Sequence, residues 1–182
     1  MHENNNRYVI LTGGPGAGKT TLIAALKQRG YATAPEAGRA IIQNYQAIEG
    51  PALPWRDRGL FAELMLSWEL RSYGAAAEQE GTVFFDRGVP DVLGYLDLVG
   101  LPVPEHAKRA AELYRYHRTV FILPPWPEIF AQDAQRKQTL EEAGQTCDAL
   151  AKAYAQAGYA LTEVPRGTVA QRTDFILANL GA

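Results

Sequence analysis

Short apolar runs alternate along the chain with segments whose apolar residues recur every three or four positions. "YVILT" (8–12) is a compact apolar run ending in glycines, and "TLIAALKQRG" (21–30) follows with helical spacing and a glycine stop. "YATA" (31–34) is a short strand candidate that Pro35 interrupts, and the next segment sets Ile41, Tyr45 and Ile48 on one helical face. Turn residues mark 49–59 as a loop, and a long helix is predicted over 60–80. "TVFFD" (82–86) reads as a buried strand, and Val89, Val92, Leu93, Leu96 and Val99 form a helical stripe behind it. A helix over 104–118, a strand at "TVFIL" (119–123), mostly helix over 126–157, a strand at "YALTEV" (159–164) and a helix over 168–180 complete the pattern.

Strands separated by helices predict an α/β domain with a largely parallel sheet. Ligands of such sheets bind where loops leave the carboxyl ends of the strands. The loops after residues 12, 34, 85, 123 and 164 are therefore the places to look for chemistry, and each is polar or rich in glycine.

Composition narrows the class. The 182 residues fit one domain, 1–182, and 47% apolar with 21% charged residues is ordinary for a folded globular protein. A net charge of −2 carries no general footprint for nucleic acid or an anionic membrane, so neither is expected as a partner. One cysteine, Cys147, excludes a disulfide within the chain and argues against a cysteine-based metal site. His2, His106 and His117 have no zinc-ligand spacing and read as structural. No stretch resembles a signal peptide or a membrane span, which predicts a cytoplasmic protein.

The strongest chemical signal is "GGPGAGKTT" after the first strand, which fits G-x-x-x-x-G-K-[ST] with Gly13, Gly18, Lys19 and Thr20. Glycines let the backbone curl so that N–H groups face one anion, and the helix N-terminus adds its dipole. Gly13, Gly14, Pro15, Gly16, Ala17, Gly18, Lys19, Thr20 and Thr21 would cradle a nucleotide. Lys19 reaches the β- and γ-phosphates, and Thr20 coordinates Mg²⁺. Guanine-specific proteins of this type add Asn-Lys-x-Asp, which is missing here and tilts the choice towards ATP.

The other loops are weaker when read alone. Glu36 either points into the crevice or is a first-turn acid favoured by the helix dipole, with Arg39 on the same side. Asp86 ends a hydrophobic strand in the manner of a magnesium-binding acid. Arg87 contacts the acceptor or the moving phosphoryl group, or forms a surface ion pair, and Gly88 leaves room for a ligand. In the segment 36–80, Trp55 could stack on a flat acceptor and Arg56 or Arg58 could receive an anionic one. A lid-like segment over 125–140 offers Arg136 and Lys137 as a phosphate clamp, with Asp133 on the same face, and Trp126 lines the crevice or packs beneath it. Pro165, Arg166 and Gly167 hold an adenine ring or form an ordinary turn.

In order, "GGPGAGKTTL", "PEAGR", "LPWRDR", "VFFDRGVPD" and "VPRGTVAQR" resemble the small AAA-type P-loop ATPase family. That family is related to the nicotinamide riboside kinase domain of bacterial NAD regulators and, more distantly, to thymidylate and deoxynucleoside kinases. The resemblance spans about residues 8–180. It implies a P-loop NTPase three-layer sandwich of nucleoside-monophosphate-kinase type, with a parallel five-stranded sheet of order 2-3-1-4-5, and ATP and Mg²⁺ as cofactors. It also implies that Glu36 takes the proton from the acceptor hydroxyl and that Asp86 with Arg87 binds metal or substrate. Ala37 and Gly88 stand where deoxynucleoside kinases carry Pro, and Ser or Tyr.

The expected function is an ATP- and Mg²⁺-dependent kinase acting on a small metabolite, with a nucleoside-like one among the candidates. Its catalytic residues would be Lys19, Glu36, Asp86, Arg87 and Arg136, its acceptor residues Glu36, Arg39, Trp55, Arg56 and Arg87, and its metal ligands Thr20 and Asp86. A regulatory ATPase or nucleotide-dependent switch without an acceptor is the alternative reading.

Overall fold

The computed structural model describes residues 4–130 and 139–180. Five strands, β1 (Tyr8–Gly13), β2 (Ala32–Ala34), β3 (Val83–Asp86), β4 (Thr119–Leu123) and β5 (Ala160–Glu163), pair in parallel in the order 2-3-1-4-5. Between and after them run α1 (Lys19–Gln28), α2 (Ala37–Ala47), α3 (Arg58–Ala75), α4 (Val89–Leu98), α5 (Glu105–Leu113), α6 (Leu140–Gln156) and α7 (Val169–Ala178). Among the described residues no helix is long and apolar enough to cross a membrane.

The central strand shows why the layers number three. Successive side chains of β1 point to opposite faces. Tyr8 and Ile10 enter a core with residues of α3, α4, α5 and α6, whereas Val9 and Leu11 enter another with Leu22 and Leu26 of α1 and Ile176 of α7. Both faces are covered, so the strand reads as a continuous apolar run. A smaller cluster joins Ala37, Ile41 and Ile42 of α2 to Leu53 and Phe61. Register then does the placing: Leu11 lies beside Asp86, and Thr12 and Gly13 lie beside Ile122 and Leu123. The first, third and fourth strands thus release their loops at one level.

Two predicted helices are shorter than their patterns. Residues 104–118 give a helix only to Leu113, after which Tyr114 and Tyr116 turn inward to stack on Tyr73, and Tyr116 also packs on Phe85. Burying the rings prevails over continuing the helix. Of the predicted 126–157 helix, α6 begins at Leu140 behind a Thr139–Glu142 capping box, and Pro127–Ile129 forms a single 3-10 turn. The predicted α2 stripe also ends early. Ile41 is buried, but Ile48, at the C-cap, is 70% exposed.

Gly88 does not leave room for a ligand. A Cβ there would lie 2.5 Å from Ile10 Cδ1 and 3.0 Å from Tyr116 Cζ, so the residue is small because the core presses on it. Gly88→Ala is expected to destabilise the fold by about 1–3 kcal/mol through overpacking, measured as a lower urea midpoint with an unchanged slope.

Candidate functional site

The loop after β1 bends through left-handed backbone at Gly16 (φ 72°) and Gly18 (φ 80°), and Gly18 caps α1. These conformations cost a glycine little. Lys19 opens α1 and is buried, and its Nζ donates to the Gly13 carbonyl at 3.0 Å and the Gly14 carbonyl at 2.8 Å. Thr20, Thr21, Gly16 and Ala17 line a cavity of about 500 Å³ with Arg39, Trp126, Gly167 and Arg172. The Arg172 guanidinium lies 5.3 Å from the Trp126 ring centroid and donates from Nη2 to the Ala17 carbonyl at 3.1 Å. Sequence reading missed Arg172; its place inside "VPRGTVAQR" was the available signal.

A second cavity, of about 620 Å³, opens on the far side of Pro15, which lines both. Its walls are mainly apolar, with Phe61 and Met65 of α3 and Val92, Tyr95 and Leu98 of α4. Glu36, at the N-cap of α2, and Arg87, at the end of β3, stand at its polar part. Arg87 adopts left-handed backbone (φ 80°), a conformation that costs a non-glycine residue about 1–2 kcal/mol. Its Nε donates to Glu36 Oε1 at 3.2 Å and its Nη1 to Asp91 Oδ1 at 3.0 Å.

Asp91 organises this end, and its place at the end of "VFFDRGVPD", in the first turn of α4, was the one signal the sequence offered. Its Oδ1 also accepts from Thr12 Oγ1 at 2.6 Å, and its Oδ2 accepts from the Gly88 N–H at 2.9 Å and from the Tyr154 hydroxyl at 2.5 Å. One buried carboxylate thus joins β1, the β3–α4 turn and α6.

Asp86 lies beside Leu11 on the same level and is 4% exposed, and its Oδ1 has no hydrogen-bond partner among the described residues. Burial pushes this carboxyl up, opposed by Lys19, Arg87 and Arg39, while Asp91 adds to the rise. A buried acceptor without a donor beside a phosphate loop fits a divalent cation with hard oxygen ligands. Among the described residues no group of three or more His, Cys, Asp or Glu side chains gathers as a metal cage. A cation here would take few protein oxygens and draw the rest from phosphate and water, as Mg²⁺ does.

The predicted residues divide between the two cavities and places outside both, and Asp86 lines neither. Glu36, Trp55 and Arg87 line the larger one, as does Arg58. Arg39 lines the phosphate-loop cavity instead, and Arg56 donates to the Glu49 and Gly50 carbonyls and lines neither. Gly167 lines the phosphate-loop cavity, whereas Pro165 and Arg166 are exposed, with Arg166 Nη1 3.5 Å from Glu128. Arg136, Lys137 and Asp133 lie outside the described residues.

Residues 8–172 match the AAA domain family. The chain belongs to that family. No curated protein matches it in sequence. Solved structures are similar to this member throughout. Deoxyadenosine kinase from M. mycoides, with products dCMP and a flexible dCDP bound, superposes with TM-score 0.64 at 15% identity, covering 96% of this chain and 98% of that one. The same kinase with bound dATP gives 0.59 at 17% identity, covering 96% and 100%. NadR protein in complex with NAD and AMP-PNP gives 0.66 at 17% identity, and 97% of this chain corresponds to 50% of NadR. The shared feature is a P-loop kinase-like fold.

Glu69 of α3 is another residue that sequence reading passed over. It lines the larger cavity at 4% exposure, and no described residue donates a hydrogen bond to it. Burial raises its carboxyl well above the usual range, Asp91 and Asp86 push the same way, and Arg87 opposes them. Raised in the folded state, the group contributes most below its unfolded value near 4.5, and that contribution is lost as pH rises through the folded value. Within that window each pH unit costs about 1.4 kcal/mol. Glu69→Gln is therefore expected to match the wild type in melting temperature at pH 4 and to exceed it increasingly above, in thermal unfolding followed across pH.

Proposed function

We propose that this AAA-family member is an ATP- and Mg²⁺-dependent kinase that phosphorylates a hydroxyl of a small, nucleoside-like acceptor. The observation carrying this reading is the pair of cavities meeting at Pro15, one rimmed by the phosphate loop and one holding a carboxylate and an arginine. A nucleotide-dependent switch needs only the first. Kinases with this fold offer the precedent: the similar structures include a deoxyadenosine kinase with dCMP bound and NadR in complex with NR.

In this reading ATP lies along the phosphate loop, cradled by residues 13–21, with its adenine towards Trp126, Gly167 and Arg172. Lys19 turns from the Gly13 and Gly14 carbonyls to the β- and γ-phosphates. Thr20 and Asp86 would hold Mg²⁺, whose charge would offset that of the phosphates. The acceptor lies in the larger cavity with its hydroxyl at Glu36. As the acceptor oxygen forms its bond to the γ-phosphorus, the bond to the β–γ bridging oxygen breaks and ADP leaves. Glu36 takes the hydroxyl proton. Arg87, held by Glu36 and Asp91, stabilises charge on the moving group without having to be ordered at the moment of reaction. Arg136 is assigned a supporting place as phosphate clamp.

Product detection by mass spectrometry across a nucleoside panel is the test. ATP consumption that never yields a phosphorylated acceptor would refute the proposal. Glu36→Gln is expected to keep ATP affinity and to lose about 10²–10⁴-fold in transfer, the usual contribution of general-base catalysis. Asp86→Asn should abolish the response of activity to Mg²⁺. Equal loss of ATP binding in both variants would contradict these separate roles.

A further inference from the structure

Arg172 is a residue whose place the fold alone does not explain. A capping box fixes the start of α7: Thr168 Oγ1 accepts from the Gln171 N–H at 3.2 Å, and Gln171 Oε1 accepts from the Thr168 N–H at 2.9 Å. Ile176, one turn beyond Arg172, is buried with Leu22 and Leu26 of α1. These contacts set Arg172 against the phosphate loop at 5% exposure. Burial alone lowers the pKa of its guanidinium, and no carboxylate among the described residues offsets it. Its Nε has no hydrogen-bond partner among those residues. Buried charges are normally paired, and an apolar side chain of similar size would serve the packing as well or better.

The one group that this side chain does hold belongs to the phosphate loop. Arg172 Nη2 donates to the Ala17 carbonyl at 3.1 Å, and a Cβ on Gly18 would lie 3.0 Å from Nη1. The guanidinium thus closes on the loop beside Gly18, whose left-handed backbone (φ 80°) caps α1. A peptide unit is planar, so holding the Ala17 carbonyl also fixes the direction of the Gly18 N–H. The N–H groups of such a loop and helix start are what an anion meets. The Trp126 ring packs over the guanidinium, with its centroid 5.3 Å away. In these surroundings of low polarity a positive charge without an acid beside it acts strongly on a nearby anion.

We propose that Arg172 is a positioning residue for the nucleotide, fixing the Ala17–Gly18 peptide of the phosphate loop and lending the loop positive charge that no acid cancels, while destabilising the nucleotide-free protein. This rests on the phosphate-loop cavity being the nucleotide site of the kinase reading. Arg172 acts through the loop and not by contact with the reacting groups.

Displacement of a fluorescent ATP analogue from the full chain, by ATP and by inorganic tripolyphosphate, tests the proposal together with thermal unfolding of the nucleotide-free protein. Arg172→Met keeps most of the stem and loses the charge and the donors. It should bind both ATP and tripolyphosphate about ten-fold or more weakly than the wild type, the effect of losing a charged hydrogen bond. Its melting temperature should equal or exceed that of the wild type, because a buried charge has been removed. Arg172→Lys restores charge without the planar fork and should bind ATP about three-fold or more tightly than Arg172→Met. ATP affinity unmoved in Arg172→Met would overturn the inference. So would a loss confined to ATP and absent for tripolyphosphate, which would mark a role at the adenosine part. A lower melting temperature in Arg172→Met, marking a structural role, would also overturn it, as would Arg172→Lys binding no better than Arg172→Met. These effects without any phosphorylated acceptor would leave the inference standing and remove the kinase reading. Transfer by the wild type with ATP affinity unmoved in Arg172→Met would do the reverse, and a wild type that binds no ATP would overturn both.

Discussion

The carboxylate of Asp91 accepts from Thr12 at the end of the central strand, from the Arg87 side chain and the Gly88 N–H in the turn after the third strand, and from Tyr154 on α6. Hydrogen bonds to a buried charged acceptor are stronger than neutral ones, and removing the acceptor would strand four donors in a site with little water. That cluster decides where α4 starts. It also holds Arg87 in a backbone conformation that its side chain disfavours, because the guanidinium must reach back to Asp91 and across to Glu36. Strain at one residue is thereby coupled to the packing of a strand, a turn and a helix.

From this anchor the two ends of the cleft differ in character. The phosphate-loop cavity is a backbone structure with cations around it: curled glycines, Lys19 turned onto its own loop, and Arg39 and Arg172 at the wall. Anions suit such a place, since N–H groups and a helix N-terminus point one way. The larger cavity is apolar with acids set into it, and its arginines are engaged by the protein's own groups. Asp86 lies between these regimes, influenced by Lys19 on one side and by Arg87 and Asp91 on the other, and one of its oxygens has no hydrogen-bond partner among the described residues. Asp86 Oδ1 and the Tyr95 hydroxyl are buried with no hydrogen-bond partner among the described residues.

Legibility followed the range of the interaction. The strand runs and the phosphate loop depend on near neighbours, and both were readable. The helix after residue 104 was misjudged because Tyr114 and Tyr116 leave helical geometry to reach rings on other elements. Gly88 looked like space for a ligand until Ile10 and Tyr116 were seen against it. Arg39 and Arg56 looked alike as cations near the acceptor, yet one faces the phosphate loop and the other ties two loop carbonyls. Asp91 closes the segment "VFFDRGVPD", but its anchoring role was hidden, since its partners lie 79 residues before it, three and four residues before it, and 63 residues after it.

By itself the sequence determined the alternation of strand and helix, a glycine loop shaped for phosphate, and the position of Glu36, Asp86 and Arg87 at or just beyond strand ends. Those properties follow from local backbone preference and from period-two and period-3.6 patterning, which need no knowledge of distant residues. Only the tertiary structure decided that Glu36 and Arg87 line one cavity beside that of the phosphate loop, that Asp91 holds Arg87 in place, and that Glu69 of α3 lines the same apolar chamber. Those outcomes depend on sheet register and on helices packing across it, and a linear pattern carries no record of which distant side chains will share a cavity.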